Sequence, residues 1–150
     1  MSRRASLLAT LVLAVAVTAS AAGRQVGDVV TVPPGFSIEV FAADVPGARS
    51  MTLSPAGTLF VGTRDQGVVY AIPAAATSAR AGKPRTVARG LASPNGVAVR
   101  NGALYVAEIS RILRLDDIEA RLDRPPAPVV VTDRYPSDRH HGRKLSLIHI

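Results

Sequence analysis

The sequence predicts an all-β chain organised as a β-propeller, about two blades with the start of a third, and three observations predict it. Gly57-Thr58-Leu59-Phe60-Val61 recurs 45 residues on as Gly102-Ala103-Leu104-Tyr105-Val106, and a period in this range marks propeller blades. Each copy is followed by a short polar loop and a second apolar run. The runs are short and are separated by turn-forming residues, the pattern of strands joined by tight hairpins. A single blade cannot bury its own apolar faces, and a closed ring takes about 4 to 8 of them. The 150 residues are therefore expected to form the front of a longer propeller, poorly soluble if expressed alone because its sheet edges stay open.

Residues 1–22 have the three parts of an export signal. Arg3 and Arg4 give the positive start, Ala5 to Val17 an uncharged apolar core, and Ala19-Ser20-Ala21 or Ser20-Ala21-Ala22 a small-x-small cleavage site. The apolar core is shorter than the roughly 20 residues a membrane-spanning helix needs, so it reads as a signal and not an anchor. Ser2-Arg3-Arg4 carries part of a twin-arginine motif, and the ordinary secretory route is equally open. A periplasmic or secreted protein is expected, with residues 23–150 as the N-terminal part of the propeller domain.

After the leader, Pro33-Pro34-Gly35 sets a rigid lead into residues 36–40, Phe-Ser-Ile-Glu-Val, whose alternation predicts a half-buried strand. The first blade is expected to have strands at 50–53, 58–62, 68–72 and 85–88. Ser54-Pro55-Ala56-Gly57 forms its first hairpin turn and Asp65-Gln66-Gly67 its second. The second blade repeats this with strands at 96–99, 103–107, 112–115 and 129–132, turning at Arg100-Asn101-Gly102 and at 109–111. Between its third and fourth strands, Asp116-Asp117-Ile118-Glu119-Ala120-Arg121-Leu122 has acids first and apolar residues four apart. An Asp-capped short helix, stopped by Pro125-Pro126, is predicted there.

Composition removes several function classes. No cysteine is present, so disulfides, thiolate metal sites and a lipid-modified N-terminal cysteine are excluded. Loss of Arg3 and Arg4 with the leader lowers the net charge from +7 to +5. The remaining bases are dispersed among acids with few aromatics, a solvated surface and not a nucleic-acid interface.

Strand parity gathers the candidate functional residues. In an up-and-down sheet the start of the first strand and the turn between the second and third lie at the same end. Arg49-Ser50, Pro94-Asn95-Gly96 and His140-His141-Gly142 thus share an end with the turns at 63–66 and 108–111, and Ser50, Asn95 and His140 fall 45 residues apart at each step. His140 and His141 are candidates for proton transfer, since imidazole titrates near neutrality; the alternative is a solvated histidine pair in a loop. Asn95 is either a ligand contact or turn chemistry with an unusual backbone angle. Glu108 and Arg64 are either ligand contacts or turn-flanking charges.

The strings Pro33-Pro34-Gly35-Phe36, Val45-Pro46-Gly47-Ala48-Arg49-Ser50-Met51, Pro94-Asn95-Gly96-Val97-Ala98, Leu104-Tyr105-Val106-Ala107-Glu108, the segment 116–122 and Ser137-Asp138-Arg139-His140-His141-Gly142 together resemble the sorbosone dehydrogenase branch of the soluble glucose/sorbosone dehydrogenase family. The resemblance covers nearly all of the mature chain. It implies a six-bladed periplasmic propeller that binds pyrroloquinoline quinone and calcium at its channel mouth and oxidises a sugar or sugar aldehyde. It further implies that a histidine takes the substrate hydroxyl proton while hydride passes to the quinone, with calcium polarising the quinone. His141 takes that role by ungapped alignment, and His140 if one residue is skipped. Asn95 falls where the family places a polar contact to quinone or substrate, Pro94 being the other alignment. Most cofactor and calcium contacts are expected from later blades.

The sequence after His140-His141-Gly142 departs from the family pattern. Residues from about Lys144 to Ile150 read as foreign to it, or as a divergent strand, and His149 is not counted as a ligand. Two other readings compete. A calcium-dependent lactonase of the gluconolactonase type also has six blades and an Asn-Gly strand start, but builds its site on carboxylate and amide oxygens with no histidine base. A non-catalytic propeller that binds peptide or carbohydrate would tolerate replacement of His141.

Overall fold

The computed structural model of the chain describes residues 30–73, 75, 77 and 82–138. The chain divides after Glu39 into two units. In the first, Phe36 N–H donates to the Pro33 carbonyl at 3.1 Å across a turn whose Gly35 has a positive φ of 89°. The strand predicted at residues 36–40 does not form. An alternating pattern yields a strand only when a neighbour takes its backbone hydrogen bonds; here Phe36 stays 72% exposed, and Ile38 and Val40 are exposed too.

The second unit is all-β. Eight strands form two antiparallel four-stranded sheets: β1 (Ala48–Leu53), β2 (Leu59–Thr63), β3 (Val69–Ile72) and β4 (Arg85–Ala88) in the first, β5 (Gly96–Arg100), β6 (Ala103–Ala107), β7 (Ile112–Leu115) and β8 (Val129–Thr132) in the second. Spatial order equals chain order in both. Each strand lies within two residues of its sequence prediction, because turn chemistry marks the ends. Ser54 N–H and the Thr58 carbonyl close the first hairpin at 2.9 Å, with Gly57 at φ 86°. Asn101 and Gly102, both left-handed at φ 50° and 76°, make the I′ geometry that suits a two-residue hairpin.

The repeat extends to features that no residue pattern announces. In both sheets the third-to-fourth strand pairing slips at the same place, between Val69 and Tyr70 and between Ile112 and Leu113, leaving Val87 and Val131 as the extra residues. Such a bulge sharpens twist at the outer strand. In both, the segment after the fourth strand bonds back to the second turn: Leu91 N–H to Gly67 O at 3.0 Å, Tyr135 N–H to Ser110 O at 3.2 Å.

Apolar residues of the two sheets form one cluster, with Phe60, Val69, Ala71 and Val87 from the first and Leu104, Val106, Leu113 and Leu115 from the second. Ile118 and Leu122 extend it. They belong to the segment predicted as an Asp-capped helix, which is instead a single 3₁₀ turn, Ile118–Arg121. Asp117 there is left-handed and its side chain caps nothing. The turn is held by tertiary contacts: Ile118 N–H donates to Gly102 O at 3.2 Å, and Thr58 Oγ1 donates to Glu119 Oε2 at 2.7 Å. No helix among the described residues is long and apolar enough to cross a membrane. The leader (1–22) and residues 144–150 lie outside the described residues.

Candidate functional site

Antiparallel register fixes which residues meet at the strand-start end. Ala48 of β1 pairs with Thr63 of β2 and Gly96 of β5 with Ala107 of β6, so Ser50 and Asn95 lie beside the turns that carry Arg64 and Glu108, as strand parity predicts. Ser50 Oγ donates to Asn95 Oδ1 at 3.4 Å across 45 residues of sequence. Equivalent positions of the two repeats are thereby joined side chain to side chain.

Asn95 is 1% exposed, and its Nδ2 has no hydrogen-bond partner. A buried amide donor left unpaired costs about 1–3 kcal/mol, so the group stands ready for an acceptor. Asn95 itself does not take a left-handed backbone angle. The left-handed residue is Ser93, at φ 55°, two positions earlier. Ser93 N–H donates to Leu91 O at 3.2 Å and Asn95 N–H to Ser93 O at 2.7 Å, so the chain folds tightly about Ser93 and Pro94 before entering β5. Opposite, Gly62 of β2 lies so close that a Cβ there would meet Pro94 O at 2.5 Å and Asn95 O at 2.6 Å.

Glu108 and Arg64, each open from sequence as a ligand contact or a turn-flanking charge, differ sharply in their surroundings. Arg64 forms a 3.5 Å bridge to its neighbour Asp65, with both side chains exposed, an arrangement that contributes about 0–1 kcal/mol. Glu108 is fully buried. One carboxylate oxygen accepts from Arg111 Nε and the other from the Ala92 backbone N–H, while Glu108 N–H donates to Arg111 O at 2.9 Å. The hydrogen bond to Glu108 holds the Arg111 guanidinium above its ordinary range, partial burial working against it. A cation whose folded pKa is raised stabilises the fold at every pH below its unfolded value. The contribution is therefore present at neutral pH and is lost as pH rises through the guanidinium's own titration in strong alkali.

Thr63 supports the same end from the first sheet. Fully buried, its Oγ1 donates to Val68 O at 2.6 Å and accepts from Val68 N–H at 3.0 Å, bracing the β2–β3 turn. Strand parity places Thr63 and Arg111 in the turns at this end, whereas nothing in the sequence singles out Gly62 or Ala92. Arg111 carries a further signal, as a base three residues after an acid.

His140 and His141 lie outside the described residues. Among the described residues no three His, Asp or Glu side chains converge as a metal set, and both oxygens of the buried Glu108 are already engaged. The site that emerges is an unspent amide donor at the junction of two repeats, fixed by a buried carboxylate and a close-packed glycine. Neither a scan of protein-family models nor searches of curated proteins and of solved structures returned a match.

Proposed function

We propose that the chain is the N-terminal part of an exported, six-bladed propeller dehydrogenase that oxidises a sugar or sugar aldehyde with pyrroloquinoline quinone, its two sheets being two of the blades. The observation that carries this reading is the meeting of Ser50 and Asn95, equivalent residues of consecutive repeats, with Asn95 Nδ2 buried and unpaired. It gains support from the motif strings shared with the sorbosone dehydrogenase branch and from two sheets that repeat down to their bulges.

The donor chemistry fits the group. The carbonyl and carboxylate oxygens of the quinone, like the hydroxyls of a sugar, are acceptors, and Asn95 has a donor to give. When bound, the quinone supplies a two-electron acceptor and calcium a Lewis acid. Asn95 would orient the quinone or the substrate through Nδ2, with Ser50 holding its Oδ1. His141 would take the substrate hydroxyl proton at an imidazole nitrogen, His140 being the alternative base. Calcium would draw its ligands from blades beyond the described residues.

The lactonase alternative uses such an asparagine through its oxygen, as a metal ligand. Here Oδ1 accepts from Ser50 and Nδ2 has no partner among the described residues, the arrangement a donor to quinone or substrate would use. The deciding experiment expresses the native gene through its natural stop codon, with its leader, and supplies pyrroloquinoline quinone and calcium. Dye-linked oxidation of aldoses or sorbosone that needs both additives is expected. Replacing the base with Ala, at His141 or else at His140, should lower kcat by about 10²- to 10⁴-fold, the usual worth of a general base, while the other replacement stays near wild type. Lactone hydrolysis without quinone-dependent turnover would replace this reading with the lactonase.

A further inference from the structure

We propose that Glu108 is a positioning residue, which through the Ala92 amide sets the backbone that carries Asn95 to the start of β5. The inference rests on the reading that Asn95 contacts quinone or substrate. Glu108 itself is no candidate for that contact, being fully buried with both oxygens engaged.

A buried carboxylate is costly unless its lone pairs are satisfied as well as its charge. Arg111, whose side chain is 42% exposed, would balance the charge equally well at the surface. What burial adds is the second acceptor bond, to Ala92 N–H. The next residue of the same turn completes a clamp, since Ile109 N–H donates to Ala92 O at 3.2 Å. Both peptide groups flanking Ala92 are thereby tied to the β6–β7 turn.

Little freedom lies between Ala92 and Asn95. Ser93 is left-handed and bonded back to Leu91, Pro94 has its φ locked by its ring, and Asn95 N–H is bonded to Ser93 O. Leu91 is anchored to Gly67 of the first sheet, and Gly62 fills the space against the Pro94 and Asn95 carbonyls. A displacement at Ala92 has no slack to absorb it and is passed on to the Asn95 side chain.

The test uses the full-length protein with Glu108→Ala, Glu108→Gln, Asn95→Ala and the Glu108→Ala/Asn95→Ala double variant. Each is titrated with pyrroloquinoline quinone in the presence of calcium, and amide hydrogen exchange is followed at residues 92–95. Glu108→Ala is expected to weaken quinone binding about tenfold, the scale of one buried hydrogen bond to a charged group. Glu108→Gln, whose amide oxygen still accepts from Ala92, should recover most of the loss. In the Asn95→Ala background, Glu108→Ala should cost less than about twofold more, since two residues acting through one contact are not additive. Exchange at Ala92 and Asn95 should rise in Glu108→Ala while the core amides of β6 keep their protection.

Additive losses in the double variant, or unchanged exchange at residues 92–95, would overturn the proposal. If the wild-type protein binds no quinone, the quinone reading fails separately and hydrogen exchange still decides the positioning role. If Glu108→Ala does not fold, Glu108→Gln decides it: Ala92 protection kept without the Arg111 ion pair supports the clamp, and protection lost contradicts it.

Discussion

Gly62 shows how much of this site depends on a side chain that is missing. Its Cα faces the carbonyls of Pro94 and Asn95 at a distance that leaves no room for a methyl group, and both obstacles are backbone, unable to swing aside. Gly62→Ala should therefore destabilise the full-length protein by about 1–3 kcal/mol, the range for overpacking a tight interior, read as a lowered urea midpoint. A neutral substitution would mean that the β5 start is free to move. Residue identity alone did not reveal this contact, because close approach between sheets is a property of the packing. Asn95 was legible as a candidate, at the end where the structure joins it to Ser50, from its Pro-Asn-Gly setting and its spacing from Ser50. That Ser93 would carry the left-handed angle was not, since serine rarely adopts it without the surrounding bonds to Leu91 and Asn95. Glu108 was placed at the correct end by parity, but its burial depends on Ala92, sixteen residues earlier.

At the scale of elements, local chemistry predicted what local chemistry determines. The Pro-Ala-Gly and Asn-Gly turns fixed the hairpins, and with them strand register. The segment 116–122 went otherwise because its acids suggested a cap, while the 3₁₀ turn owes its place to Ile118 in the core and to Thr58 reaching Glu119 from the other sheet. Among the described residues Glu119 Oε1 is buried without a partner, and Oε2 accepts from the Thr58 hydroxyl. Thr58→Val should accordingly cost about 1–3 kcal/mol, and less than that when Glu119→Ala removes the stranded acceptor as well. Denaturant unfolding of the two variants checks this; a neutral Thr58→Val would show that the bond between the sheets carries no stability. Residues 36–40 failed for the complementary reason, that an alternating pattern needs a neighbouring strand and none among the described residues pairs with it.

On the scale of the whole molecule, the two sheets leave apolar strand residues exposed. Val129, Val130 and Val131 of β8 are 46%, 48% and 46% exposed. Successive residues point to opposite faces of a strand, so neither face of β8 is covered. Met51 and Leu53 of β1 are likewise exposed, at 62% and 53%, on the strand that starts the first sheet and touches β5 of the second. Apolar residues on both an outer and a first strand are what further sheets of the same kind would cover in a ring. The repeat period made two like four-stranded sheets readable from sequence; a closed ring is what the proposed function adds to them. The most direct measurement is a crystal structure of the full-length protein soaked with pyrroloquinoline quinone and calcium. The account predicts a ring of six sheets with Asn95 Nδ2 within hydrogen-bond distance of an oxygen of the quinone or of bound substrate, and Glu108 still clamped to Ala92. Asn95 bonded only to protein or water, with the quinone absent or held elsewhere, would contradict it.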